Sequence, residues 1–215
     1  MRDIAIYGAG GFGREIACLI RRINDAAQQP QWNFIGFFDD GVPPTTDYPY
    51  GPVLGGMDKA NSWDSPLDIA IAIGTPRVIE TIVSKITNPN ISFPNVISPD
   101  LILLDKDTCT MGRGNIICTG CLISCNTRIG DFNQFNGFIT IGHDASIGNY
   151  NSFMPGVRVS GEVTIGNKNF WGFNSGILQQ KTVGDNVTVG VGSIIFRKPK
   201  DGCTYMGVPA SMVKY

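Results

Sequence analysis

Residues 111–147 read MGRGNIICTGCLISCNTRIGDFNQFNGFITIGHDASI, and a stride of six residues decides how they fold. From Met111 the stride lands on Ile117, Ile123, Ile129, Phe135, Ile141 and Ile147. It continues through Phe153, Val159, Ile165, Trp171, Ile177, Val183 and Val189 to Ile195. All 15 positions are apolar, and eight are followed by glycine, at Gly112, Gly130, Gly142, Gly148, Gly166, Gly172, Gly184 and Gly190. Four residues after each anchor the side chain is usually small or branched, as at Cys121, Thr127, Ala145, Val157, Val163, Ser175, Val187 and Ser193. One large and one small inward side chain per six residues, with a glycine-tolerant corner, suits a short strand and a turn. Three such units close a triangular coil, so the stride predicts five stacked coils, with no loop leaving the wall between residues 111 and 195. Any site must then lie on the wall itself.

The N-terminal residues follow a different pattern. An apolar run, DIAIY at 3–7, leads into GAGGFG at 8–13, which fits G-x-G-x-x-G, and then into REIACLIRRI at 14–23. Strand, glycine loop and helix come in the order that motif requires. A second strand, NFIGFF, ends at Asp39 and Asp40; a third, DIAIAIG, ends at Gly74 before the helical run RVIETIVSKI. These elements predict an α/β head over residues 1–90, a small Rossmann-like βαβ unit, followed by an all-β domain over 91–215 with a C-terminal cap. Glycines at the first turn let backbone amides approach a phosphate, and an acid after the second strand can accept hydrogen bonds from a ribose or base. The plainer alternative is that the glycines only serve close packing. About 90 residues leave too few strands for a two-half dinucleotide fold, which disfavours a dehydrogenase and points to a mononucleotide-bearing ligand. Residues 41–56, GVPPTTDYPYGPVLGG, read as a long irregular connection that could border a ligand pocket.

Among 215 residues, 17 Lys and Arg face 18 Asp and Glu, leaving no basic excess to hold a nucleic acid. The opening MRDIAIYGAG lacks the basic start and apolar run of a signal peptide, and nowhere do 18 apolar residues follow one another. A cytoplasmic protein without a membrane span, its six cysteines kept as thiols, is expected. With 27 glycines, 13 prolines and 42% hydrophobic residues, the chain should be turn-rich and folded. Cys118, Cys121 and Cys125 include a C-x-x-C, but a tetrahedral zinc site needs a fourth ligand, and Cys121 falls on an inward position that accounts for it without metal. A carbonic anhydrase on the same kind of coil would need three histidines. The chain has one, so no metal is expected.

That histidine, His143, stands two residues after Ile141 and should sit near a corner rather than inside. A neutral imidazole there can take a proton from an attacking amine or hydroxyl. Asp144 follows it. Neighbours on a plain strand point to opposite faces, so pairing of the two requires corner geometry.

GAGGFGRE at 8–15, FFDD at 37–40, IAIG at 71–74, GHDASIG at 142–148 and GVPA at 207–210 occur in one order. Together they resemble the sugar acetyltransferases related to sialic acid O-acetyltransferase and bacterial UDP-4-amino-sugar N-acetyltransferase. The resemblance implies that the coils form a left-handed parallel β-helix. It implies acetyl transfer from the cosubstrate acetyl-CoA to the amino group of a UDP-linked 4-amino sugar, with His143 as general base and Asp144 raising its basicity. O-acetylation of sialic acid or another free sugar is the alternative. A non-catalytic nucleotide-sugar-binding subunit is a third reading, against which the His143–Asp144 pair speaks. Acetyl-CoA is expected in a groove between two prisms of a homotrimer, touching Ser152, Phe173 and Val191, with Gly172 and Gly190 permitting close approach and Pro209 and Ala210 near the adenine. The nucleotide sugar is expected at Gly10, Gly11, Phe12, Asp39, Asp40 and Gly74.

Overall fold

The structure, a computed structural model, describes residues 1–44, 48 and 50–213. Contacts divide the chain into two units, residues 1–74 with 78–99 and residues 75–77 with 100–215. The head contains β1 (Arg2–Tyr7), α1 (Gly11–Ala26), β2 (Trp32–Phe38), β3 (Val53–Gly55), α2 (Met57–Asn61), β4 (Leu67–Ile71), α3 (Pro76–Lys85) and β5 (Ile91–Ser92). Its sheet is parallel, in the order β3-β2-β1-β4-β5. In β4 every residue is buried, as expected where a parallel strand is covered on both faces. Helix α1 buries Ile16, Leu19, Ile20 and Ile23, one stripe at helical spacing. Gly13 is a packing glycine: a Cβ there would lie 1.9 Å from the Gly8 carbonyl oxygen, so the helix start could not approach the loop after β1.

The head holds five strands where the sequence pattern suggested three. The two additions are too short to carry a periodic signal. Strand β3 occupies the end of the 41–56 segment, of which residues 45–47 and 49 lie outside the described residues. Strand β5 pairs with β4 through Leu67–Ile91 and Asp68–Ser92, which moves the end of the head from 90 to Pro99.

The second unit is a parallel β-helix of two-residue strands in three walls. One wall carries Ile102–Leu103, Leu122–Ile123, Thr140–Ile141, Arg158–Val159, Gly176–Ile177 and Ile194–Ile195. The next carries Thr110–Met111, Arg128–Ile129, Ser146–Ile147, Thr164–Ile165 and Thr182–Val183. The third includes Ile116–Ile117, Gln134–Phe135, Ser152–Phe153, Phe170–Trp171 and Thr188–Val189, and ends in the antiparallel hairpin Thr204–Gly207 with Ala210–Val213. From Met111 to Ile177 each anchor pairs with the anchor 18 residues on, as Ile141 does with Val159. Phe135, Phe153 and Trp171 stack along the interior, with centroids 4.9 and 6.0 Å apart. The coil starts earlier than the six-residue stride indicates. Leu103 takes an anchor's place beside Ile123, and the longer corner before Met111 is tied by the Asp105 carboxylate, which accepts from Asp107 N and Thr108 Oγ1.

Two features of the corners were not visible in the stride. The third residue after an anchor adopts a left-handed backbone at ten non-glycine positions, among them Asn126, Phe132, Asp144, Tyr150 and Glu162. Such a backbone is costly for most residues, and the coil before supplies a hydrogen bond that holds it: Asp144 N donates to Cys125 O, and Glu162 N to His143 O. At one corner the inward small position is asparagine in four successive coils, Asn115, Asn133, Asn151 and Asn169, all fully buried. The expectation of a small or branched side chain fails there because each carboxamide is satisfied. The Oδ1 of Asn133 accepts from Asn151 N and Nδ2, that of Asn151 from Asn169 N and Nδ2, and that of Asn169 from Val187 N. Among the described residues no helix is long and apolar enough to cross a membrane.

Candidate active site

His143 stands on the corner that follows Thr140–Ile141. Its Nδ1 lies 2.7 Å from Asp144 Oδ2, and the two side chains are 54% and 45% exposed. The corner geometry that the pairing required is Asp144's own backbone, at φ +58°, which brings adjacent side chains to one side. The second carboxylate oxygen, Oδ1, accepts a hydrogen bond from Asn126 Nδ2, one coil earlier in the same column. Asp144's carboxyl is held below the usual carboxylate range, first by the bond to His143 and then by that from Asn126. The imidazole lies against Gly161, one coil later: a Cβ at Gly161 would fall 2.5 Å from Nε2 and 2.6 Å from Cε1. A neutral ring that donates Nδ1–H to Asp144 keeps its lone pair on Nε2, the nitrogen that can accept a proton from a substrate. Beyond Gly161, the Glu162 carboxylate accepts from Gln180 Nε2 at 3.2 Å on both oxygens. Asn126, Gly161 and Glu162 were missed by the six-residue reading. Their signal is an offset of 18 from His143 or Asp144.

The residues expected to hold CoA separate into two groups. Phe173 and Val191 stack one coil apart, joined by Gly192 N donating to Phe173 O, and are 50% and 68% exposed. Pro209 is exposed and Ala210 half-buried, at the turn of the terminal hairpin. Ser152, by contrast, is completely buried, and Gly172 is buried too, so neither offers surface to a ligand in the single chain. The missing side chains serve the protein's own packing. A Cβ at Gly172 would meet Val191 N at 2.7 Å, and one at Gly190 would meet Met206 Cγ at 2.7 Å. His143 follows the first wall, whereas Phe173 and Val191 follow the third. One chain therefore carries the histidine and the exposed apolar pair on different edges of the prism.

In the head, Gly10 precedes α1 and Gly11 opens it, both exposed, with Phe12 half-buried behind them. Gly10 and Gly74 each face open space where a side chain would stand. They follow β1 and β4, the neighbouring strands between which the order of the sheet reverses, where open α/β sheets bind ligands. Asp39 and Asp40 already accept from the chain. Asp39 receives Ala9 N and Gly41 N, each at 2.8 Å, and Asp40 receives Met57 N at 2.8 Å and the Tyr7 hydroxyl at 2.5 Å. Burial first, and then the bond to Asp40, push the Tyr7 phenol's pKa up. The two aspartates border a cleft of about 240 Å³ with Gly41, Val42 and Gly56.

All six cysteines are free thiols. Cys121 points inward, donates to Asn136 O at 3.2 Å, and has its pKa pushed up to about 11 by burial. Among the described residues no group of three or more His, Cys, Asp or Glu side chains is placed to hold a metal ion.

Residues 3–86 match the PglD N-terminal domain family. The acetyltransferase domain of PglB from Neisseria gonorrhoeae superposes with a TM-score of 0.87 at 26% identity, covering 99% of this chain and 100% of that one. Along its whole length the chain is similar to solved acetyltransferases. The same PglB domain in complex with acetyl coenzyme A matches at 27% identity with a TM-score of 0.85. WeeI from Acinetobacter baumannii shares 28% identity over 99% of this chain and 100% of its own, with a TM-score of 0.86. A mutant of the perosamine N-acetyltransferase of Caulobacter crescentus, in complex with CoA and GDP-perosamine, shares the fold at 22% identity and a TM-score of 0.87, over 100% of this chain and 98% of that one. No curated protein matches in sequence. In each of these matches the likeness spans head and β-helix together.

Proposed function

We propose that this protein moves the acetyl group of acetyl-CoA onto the amino group of a UDP-linked 4-amino sugar by direct attack, with His143 as general base. The observation that carries the reading is the 2.7 Å contact of His143 Nδ1 with Asp144 Oδ2 at an exposed corner. In this reading the sugar nitrogen attacks the thioester carbon while Nε2 takes its proton. The negative charge of Asp144 steadies the imidazolium that forms, and the C–S bond then breaks as the imidazolium returns the proton to the CoA sulfur. A backbone amide near the glycine corners stabilises the oxyanion. The nucleotide lies on Gly10, Gly11, Phe12 and Gly74, with Asp39 and Asp40 at the rim. Exposed Phe173 and Val191, with Pro209 and Ala210, receive CoA.

Because His143 and the Phe173–Val191 pair occupy different edges, we infer a homotrimer, in which the histidine edge of one copy faces the apolar edge of the next. Sedimentation in dilute solution measures this, and a fully active monomer would refute it. The function is tested by following CoA thiol release across UDP-linked and GDP-linked 4-amino sugars and sialic acids. Turnover confined to UDP-amino-sugars supports the reading. Turnover of a sialic acid alone moves the chemistry to a hydroxyl, and none with any acceptor leaves a nucleotide-sugar-binding subunit.

A further inference from the structure

We propose that Asn126 is the positioning residue that orients the His143–Asp144 pair, an inference that rests on the reading of His143 as base. The argument begins with the carboxylate. Asp144 stands on an exposed corner, where a lone carboxylate would turn freely about its last torsion and offer either oxygen, or neither, to the ring. Two bonds remove that freedom: His143 takes Oδ2 and Asn126 Nδ2 takes Oδ1. A carboxamide suits this place. It donates without carrying charge, so it orients the carboxylate without competing with the imidazolium as a cation would.

Asn126 is itself held. Its backbone is left-handed, at φ +51°, a conformation that asparagine tolerates better than most residues. Its N–H donates to Thr108 Oγ1 at 2.8 Å, and that hydroxyl donates to Asp105 Oδ2 at 2.9 Å. Asp105 belongs to the long corner that interrupts the six-residue stride. The catalytic pair is thus tied through Asn126 to a hydrogen-bonded turn two coils away, by bonds that run along the outside of one edge.

The test uses Asn126→Gly, which keeps the left-handed backbone and removes the carboxamide, and Asn126→Asp, which sets a carboxylate against Asp144. His143 is the only histidine, so ring nitrogen NMR reports it without assignment. In mildly alkaline buffer the wild-type ring should carry its proton on Nδ1, and both variants should move the population towards the Nε2–H form. Turnover should fall about tenfold, the lower range for groups that orient a reacting side chain, with KM for acetyl-CoA unchanged. A histidine spectrum unmoved in both folded variants overturns the proposal. If the spectrum moves and turnover holds, Asn126 orients the pair but His143 is not the base, which His143→Ala reports separately.

Discussion

Replacing Gly161 with alanine tests the geometry of the His143 corner most directly, because the three atoms nearest the added methyl all belong to the imidazole. The new Cβ would lie 2.5 Å from Nε2, 2.6 Å from Cε1 and 3.0 Å from Cδ2. Ordinary contact between such atoms begins near 3.5 Å, so the ring must withdraw by roughly 1 Å. The Nδ1 contact with Asp144 is 2.7 Å, and a shift of that size carries it past the roughly 3.2 Å at which such bonds weaken. A misplacement of about 1 Å in a reacting group costs on the order of 10²-fold in rate, or about 2.7 kcal/mol of barrier. Folding should hardly notice. The backbone of Gly161 is not left-handed, and the half-exposed ring can swing into water, so the change in stability should stay within about 0.5 kcal/mol. The assay is steady-state CoA release beside a thermal unfolding curve. Turnover within about threefold of wild type in a folded protein would refute the argument that the ring is seated on Gly161.

His143→Ala should lower turnover by about 10²–10⁴ and leave acetyl-CoA binding intact, with Asp144→Asn costing less; both are read from initial rates and a binding titration. The Asp144 carboxyl carbon, followed by NMR, should titrate below the ordinary aspartate value of 3.8. Because that pKa is depressed in the folded state, its contribution to stability is complete above the unfolded value and is lost as pH falls through the folded one. A titration at or above 3.8 would deny the two bonds. Asn151→Ala strips the buried acceptor from Asn169 N and the donor from Gly166 O, and should destabilise the fold by about 2–6 kcal/mol in a denaturation experiment. A loss under about 1 kcal/mol would mean that water replaces the carboxamide. Brief alkylation of the native protein should label exposed Cys125 and spare Cys121, as peptide masses would report; early labelling of Cys121 would contradict its burial.

The walls of the β-helix were legible because an inward anchor is chosen by burial alone, and burial recurs every sixth residue. The left-handed corners were not, since their residues share no chemistry: Phe132, Asp144, Tyr150 and Lys168 occupy equivalent turns. There the coil imposes a backbone that composition does not advertise. His143 and Asp144 could be named from the chain, but their partners could not, because Asn126 and Gly161 are neighbours only when the sequence is read at 18 residues rather than six. Ser152 was nominated by the resemblance, and nothing in a stride says that this outward position is buried in the single chain. In the head, β3 and β5 escaped notice because two or three residues hold too little pattern.

The bonds between coils have a consequence for how such a protein can change length. Asn133, Asn151 and Asn169 each receive from one neighbouring coil what they give to the other, and the anchors pair at the same offset of 18. A block of 18 residues is therefore a cassette: copied or excised whole, it leaves each junction with the donors and acceptors it had before. On the proposed mechanism the chemistry draws on three consecutive coils, those of Asn126, His143 and Gly161. Outside them the prism can grow or shrink by duplication while the reacting corner stays as it is, so reach and catalysis are free to evolve separately.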